Sequence, residues 1–473
     1  MVFSSAIFLF YFLPVVLLIY FLFRKNIVMQ NLILFGASFV FYFWGEKQYT
    51  VLVLASILFN YLMGIAIDKQ PQPYKKIFLG FAVTANLCML FYYKYMGFVL
   101  HNIGLVTGSE HLGDSALHMH LPLGISFFTF HGLTYVIDIY RKDAHVSHNP
   151  LNTGLYTLFF PQLIAGPIIR YKDIDTQLTD REVTRERIYI GIQRFIIGFA
   201  KKLLIANTVG AIADKIYNTL PVYQTPKMLW LAALCYTLQI FFDFSGYSDM
   251  AIGLAKIFGF DFLENFNYPY AATSIRDFWR RWHISLSNFF RDYVYIPLGG
   301  NRKGNFRNYL NLFIVFFLTG FWHGASWNYL IWGMYHGFFL VLERIWLYKV
   351  LDRVPRIFRH GYTLLIVMIG WVFFRLEQFD VLKAVLKKMF FIDTQFQFAY
   401  GIRYFLNNYN ILMIVMGMIF SFPVYQYLRE RLPVNPRNIA LRVTYDLAFL
   451  LLFVMSLTVM ASSTFNPFIY FRF

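Results

Sequence analysis

The chain has 473 residues, of which 58% are hydrophobic, 21% aromatic and only 14% charged. A soluble fold with that balance lacks the polar residues to cover its outside, which excludes an ordinary water-soluble globule. The net charge of +17 is carried by basic residues scattered between apolar runs; that excludes a nucleic-acid-binding face and points to cytoplasmic loops and anionic lipid headgroups.

In chain order, "FSSAIFLFYFLPVVLLIYFLF" (3–23) begins apolar and ends at Arg24-Lys25. A cleavable signal peptide runs the other way, so this stretch is expected to be a retained first helix. Further candidate spans fall at 29–44, 49–67, 77–98, 121–140, 151–169, 188–209, 228–258, 308–319, 325–346, 361–376, 408–425 and 443–463. Together they predict about ten to thirteen membrane helices or half-helices in one domain covering 1–473. "LPLGISFFTFHGL" and "LFFPQLIAGPII" are broken by Pro and Gly and are expected to be re-entrant segments lining an internal space. Arg24-Lys25 and "DKQPQPYKK" (68–76) mark the cytoplasmic side, whereas 101–120 holds no Lys or Arg. That asymmetry predicts an N-terminus outside the membrane. Cys88 and Cys235 lie in apolar segments, which argues against a disulfide framework or a thiolate metal site.

The richest polar stretch is "SIRDFWRRWHISLSNFFRDYVYIPLGGNRKGNFRN" (274–308). At helical periodicity Ile275, Phe278, Trp279, Trp282, Leu286, Phe289 and Tyr293 form one stripe. Arg276, Arg280 and Arg291 gather on another face, and Asp277 is spaced to pair with Arg281. The segment reads as a helix lying on the cytoplasmic membrane surface. His283, at the border of the two faces, is either an interfacial side chain reaching for water or part of a surface for an anionic, phosphate-bearing donor such as coenzyme A. In the second reading Arg276, Arg280, Arg281 and Arg291 grip the phosphates. "LGGNRKGN" lacks the GxxxxGK[ST] spacing and reads as a turn.

Histidine inside an apolar span is costly and points to function. His323 sits in "FLTGFWHGASWNYLIWGMYHG" (317–337). Gly320 and Gly324 flank it and leave room for a substrate or backbone; Trp322 and Trp327 are expected to wall a pocket; His336 follows thirteen residues on. An imidazole in apolar surroundings stays neutral and can serve as a general base. Other patterns fail. "FSGYSDM" has Met250 where a GxSxG elbow needs its last glycine. Val136, Asn288, Asn328 and Val341 occupy the positions where an HxxxxD motif needs its acid. No HExxH or CxxC supports a metal, and the pairs His118/His120 and His145/His148 read as surface histidines in loops without nearby acids. Asp243 and Asp249, acids in an apolar stretch, are expected to position an arginine or a histidine, or to bridge helices.

These motifs resemble the membrane-bound O-acyltransferase (MBOAT) family, in its bacterial alginate O-acetylation branch, and are similar to peptidoglycan O-acetyltransferase membrane subunits. The likeness runs from "MVFSSAIFLFYFLPVVLLIYF" through "FFPQLIAGPIIRY" (159–171), "QIFFDFSGYSDMAIGLAKIFGF" (239–260) and 265–304 to 317–337 and the closing "FNPFIYFRF". It implies an all-α polytopic membrane protein: a ring of tilted transmembrane and re-entrant helices around a transmembrane tunnel. It implies His323 as the catalytic histidine and His283 as the second signature position. Acetyl-CoA, or another acyl thioester, would be a co-substrate with no permanently bound cofactor or metal. The resemblance also implies a bacterial inner-membrane location, membrane lipids around the protein, an extracytoplasmic SGNH-type acetyltransferase partner and a polysaccharide as final acceptor. The alternatives are a transporter of a polymer or lipid-linked precursor, for which paired broken half-repeats are missing, and a scaffold without acyl-transfer chemistry.

Overall fold

The computed structural model describes residues 1–109, 120–163, 166–431, 439–462 and 468. Among them the structure is helical without strands, and most of the predicted spans coincide with helices; the segment 121–133, expected to be re-entrant, instead enters one continuous helix at Ile125. In chain order they are α1 (Phe8–Leu22), α2 (Ile27–Gly45), α3 (Thr50–Lys69), α4 (Tyr74–Thr107), α5 (Ile125–Arg141), α6 (Pro150–Leu158), α7 (Arg185–Tyr217) and α8 (Pro226–Ile257). There follow α9 (Ile275–Arg281), α10 (Ile284–Phe290), α11 (Gly304–His323), α12 (Trp327–Leu342), α13 (Arg356–Arg375), α14 (Phe379–Met389), α15 (Asn408–Phe420), α16 (Val424–Arg431) and α17 (Ile439–Ser462). Seven of these, α2, α3, α4, α7, α8, α13 and α17, are long and apolar enough to cross a membrane. Their outward faces carry exposed Val51, Leu62, Phe81, Val106, Leu365 and Leu450, side chains that lipid solvates and water does not.

Local chemistry sets several boundaries. The Asn26 side chain accepts from the Val28 and Met29 amides to start α2, and Asn149 caps α6 ahead of Pro150. After α6 the chain leaves the helix at Phe159, and residues 159–163 and 166–169 are buried and outside any helix. Within it Gln162 Nε2 donates to the Tyr156 carbonyl, and the Tyr156 hydroxyl donates to that of Ile169. Protein groups thus satisfy non-helical backbone where lipid would leave it bare.

The chain forms two compact units, Met1–Phe195 with Ser248–Leu263, and Ile196–Tyr247 with Glu264–Phe473. In the first, Asn60 of α3 and Asn86 of α4 exchange reciprocal amide hydrogen bonds of 2.8 and 3.2 Å. Gly132 of α5 lies against both, where a Cβ would collide with them. A small residue and paired amides are the means by which helices associate in lipid. Here, too, two of the histidines read as lacking acids find them: His120 lies 3.2 Å from Glu46 and His145 3.3 Å from Asp175, acids brought in from distant segments. His118 lies outside the described residues.

The second unit has an aromatic core. Trp279, Trp282, Trp332, Trp371, Phe374, Tyr270 and Phe241 are all buried in it. Helices α11 and α12 form a hairpin at its centre, in close contact because Gly320 and Gly333 face each other. A Cβ on Gly320 would strike the Tyr329 carbonyl oxygen, and one on Gly333 that of Phe316. Gly320 is therefore the seat of a helix crossing, and the approach it permits is that of a backbone.

Candidate active site

His323 is the last residue of α11, at the tip of that hairpin, and is buried. Gly324 then takes an extended conformation (φ −170°, ψ 152°) and the chain re-enters a helix at Trp327. Rings surround the imidazole. Trp332 of α12 meets it edge to face at 5.1 Å and Phe374 of α13 does so at 5.1 Å, while Trp322 lies 4.8 Å away. Trp322 is buried beside His323, but Trp327 is 56% exposed, and it is Trp332 that packs against the imidazole. Gly324 receives the ring of Tyr329, where a Cβ would collide.

The sequence 274–296 does not form one amphipathic helix. The Ser274 hydroxyl caps α9 through the Asp277 amide at 3.0 Å, and the helix stops at Arg281. His283 then takes a left-handed conformation (φ 45°, ψ 55°) before α10 begins. The break comes from pairing with residues 265–267: Asn267 N–H donates to the Arg281 carbonyl at 2.9 Å, and Ile284 N–H to that of Asn265 at 3.0 Å. Left-handed backbone is unfavourable for a residue with a Cβ and marks a site the surroundings over-determine. The break turns His283 inward. At 1% exposed it is no interfacial side chain reaching for water. Its Nδ1 lies 3.1 Å from Asn265 Oδ1, and Phe244 meets its ring at right angles at 4.7 Å. Its ring is 6.1 Å from that of Trp322, which makes one indole the common neighbour of His283 and His323.

His336 is fully buried on α12, one turn from Trp332, with Trp279 and Trp332 at 5.2 Å. Neither ring nitrogen has a hydrogen-bond partner among the described residues, and Gly370 of α13 lies over Nε2, where a Cβ would collide. Trp332 thus separates His336 from His323, each about 5 Å from it.

The break also redistributes the arginines. Arg276 and Arg280 of α9 line an open cleft of about 190 Å³ with Thr273, Ser274, Asp277, Tyr348, Leu351 and Arg359, the last paired with Asp352 at 3.0 Å. Arg281 pairs with Asp277 at 2.9 Å, the predicted i,i+4 contact, while Arg291, beyond the break, pairs with Asp292 at 2.7 Å. Only two of the four thus share the cleft, and Arg359 joins them from α13. The Glu343 carboxylate accepts from the Ile275 and Arg276 amides at 2.7 and 3.1 Å, tying the start of α9 to the end of α12. Asp243 pairs with Lys202 at 2.5 Å, both buried in the second unit. Asp249 pairs with Arg194 at 2.6 Å in the first. Among the described residues no cluster of His, Cys, Asp and Glu could hold a metal ion.

Sequence reasoning did not single out Trp332, Phe374 or Asn265. Trp332 carried a signal, since it lies four residues before His336 and thus on the same helix face. Phe374 and Asn265 carried none, because each arrives through tertiary pairing.

The model of the membrane-bound O-acyltransferase family matches residues 38–374. The chain is 43% identical over 401 residues to a probable alginate O-acetylase of Pseudomonas aeruginosa, covering 83% of this chain and 76% of that one. It is 36% identical over 462 residues to a peptidoglycan O-acetyltransferase of Helicobacter pylori, covering 90% and 87%. A teichoic acid D-alanyltransferase of Bacillus subtilis is 34% identical over 273 residues, covering 55% and 66%.

Proposed function

Because the chain belongs to the membrane-bound O-acyltransferase family, and is thus a multi-pass membrane acyltransferase, we propose that it passes acetyl groups from a cytoplasmic thioester, acetyl-CoA, to a hydroxyl serving O-acetylation of an envelope or secreted polysaccharide. The relatives named for alginate and peptidoglycan O-acetylation support an acceptor of that kind. The observation that carries the reading is the pair of buried histidines on one indole, with His323 at the end of a helix hairpin among aromatic rings.

In this mechanism His323 takes the proton from the acceptor hydroxyl as its oxygen attacks the acetyl carbonyl carbon. The carbon–sulfur bond breaks, and the departing thiolate recovers the proton from the imidazolium. Apolar walls formed by Trp322, Trp332 and Phe374 exclude water that would hydrolyse the thioester, and fixing both reactants there lowers the entropic part of the barrier. Arg276 and Arg280, joined by Arg359, are the donor-phosphate contacts, because guanidiniums offer permanent, planar donors to phosphate. The protein sits in the bacterial inner membrane with its N-terminus outside. An SGNH-type acetyltransferase receives the group on the outer side and delivers it to the polymer.

The test is product identity. Proteoliposomes holding the purified protein receive radiolabelled acetyl-CoA on one side and alginate-type polymer, peptidoglycan fragments or an SGNH partner on the other. Label in polymer or partner supports the reading. Donor left intact in the presence of every acceptor, or polymer flux without thioester consumption, overturns it.

A further inference from the structure

The hydrogen bonds around His283 fix more than its position. Asn265 is fully buried, and its Oδ1 accepts from the backbone N–H of Ser285 at 3.2 Å. A backbone N–H can only donate, so the atom facing it must be the amide oxygen; this sets the orientation of the Asn265 side chain. The same oxygen accepts the Ser285 hydroxyl at 2.9 Å and faces His283 Nδ1 at 3.1 Å. Facing an oxygen that only accepts, Nδ1 must carry the proton. The Ser285 hydroxyl, 3.5 Å from Nδ1, already gives its proton to Asn265 and does not change the assignment. In a neutral imidazole Nε2 is then a bare lone pair. It is buried and has no hydrogen-bond partner among the described residues. The other ring neighbours, Phe244 and Trp322, offer it no charge.

We infer that Asn265 is a positioning residue that locks His283 in its Nδ1–H form, so that Nε2 accepts a hydrogen bond from an N–H or O–H of a bound reactant. The inference rests on the acyl-transfer reading and assigns His283 a role within it. In the resting state His283 accepts, and so is not the group that donates to the thioester carbonyl. The donors of matching chemistry are an amide N–H of a pantetheine-type arm and a second hydroxyl of the acceptor, other than the one whose proton His323 takes. The left-handed backbone at His283 and the paired segment 265–267 are the frame that holds this alignment.

Two variants test it. Asn265→Asp keeps an oxygen for Ser285 and Nδ1 but adds a negative charge that favours the imidazolium, in which Nε2 becomes a donor. Its acetyl transfer is expected to fall at neutral pH and recover as the pH is raised, over a range where the wild-type profile is flat. Asn265→Leu removes the lock and is expected to lower kcat/KM by about 10- to 100-fold at every pH. Histidine ¹⁵N spectra of the wild-type protein in nanodiscs, assigned with a His283→Gln control, should show a protonated Nδ1 and a bare Nε2. Two acetyl donors separate the sources. If the partner is the donor's amide, His283→Gln raises KM for acetyl-CoA but not for an acetyl thioester of a simple alkanethiol; if it is the acceptor, both donors suffer alike. A protonated Nε2 in the wild-type spectra, or a wild-type pH profile in Asn265→Asp, overturns the inference while leaving acetyl transfer itself standing. Absence of transfer by the wild-type protein would instead overturn the reading beneath it.

Discussion

Replacing Gly320 by alanine puts a methyl group against the Tyr329 carbonyl oxygen and the Gly333 backbone, three residues before His323. By helix propensity alone the substitution should stabilise α11 by about 1 kcal/mol. Contact geometry opposes this, because the obstructing atoms are backbone of α12 and cannot rotate away. Restoring ordinary van der Waals separation requires the two helices to part by about 1 Å, and overpacking of this kind costs about 1–3 kcal/mol, so the packing term wins. A shift of that size at the tip carries the imidazole with it, and misplacing a catalytic group by about 1 Å costs on the order of 10²-fold in rate. The assay is acetyl transfer by Gly320→Ala in proteoliposomes, alongside thermal unfolding in detergent. We expect a folded protein with a lowered Tm, KM for the donor near wild type and kcat down by about 10²-fold. A raised Tm with wild-type kcat would refute the reasoning, since it would mean the crossing tolerates a side chain.

Lys202→Met removes the buried cation paired with Asp243 and should cost about 3–5 kcal/mol, most of it regained in Lys202→Met/Asp243→Leu; a double variant no better than the single, by denaturation in detergent, would refute this. Arg276→Glu/Arg280→Glu should raise KM for acetyl-CoA at least about tenfold with kcat nearly unchanged, and should flatten the salt dependence of KM; an unaltered KM would remove the cleft from donor binding. Burial raises the Asp261 carboxyl, but Lys256 and Arg187 outweigh it and hold the group below the ordinary carboxylate range. Such a group stabilises the fold above its unfolded pKa and loses the contribution as pH falls through the folded one. Asp261→Asn should therefore lower stability by about 0.2–1 kcal/mol at neutral pH, after solvent screening, and by nothing once the pH drops below that range; a gap that persists in acid would contradict the assignment.

The membrane spans were legible because lipid imposes a length and a composition that a run of residues displays directly. His323 stood out as a candidate for the same reason: a polar ring in an apolar run has no packing motive. The region 274–296 was misread in part because its apolar spacing fits a continuous helix, and the break at His283 depends on hydrogen bonds to Asn265 and Asn267 from residues fourteen or more positions away in sequence. The arginine cluster dispersed with that break. Trp327 and Trp332 illustrate a different limit. Both are tryptophans in the same motif, but Trp332, next to Gly333 at the crossing, packs against His323, whereas Trp327 is exposed.

The most direct test is single-turnover acetyl transfer by His323→Gln in proteoliposomes, with folding checked by thermal unfolding and donor binding measured by equilibrium dialysis of labelled acetyl-CoA. The predicted result is a folded, donor-binding protein whose transfer rate falls by about 10²- to 10⁴-fold, the usual contribution of a general base. Transfer at the wild-type rate by that variant would contradict the account.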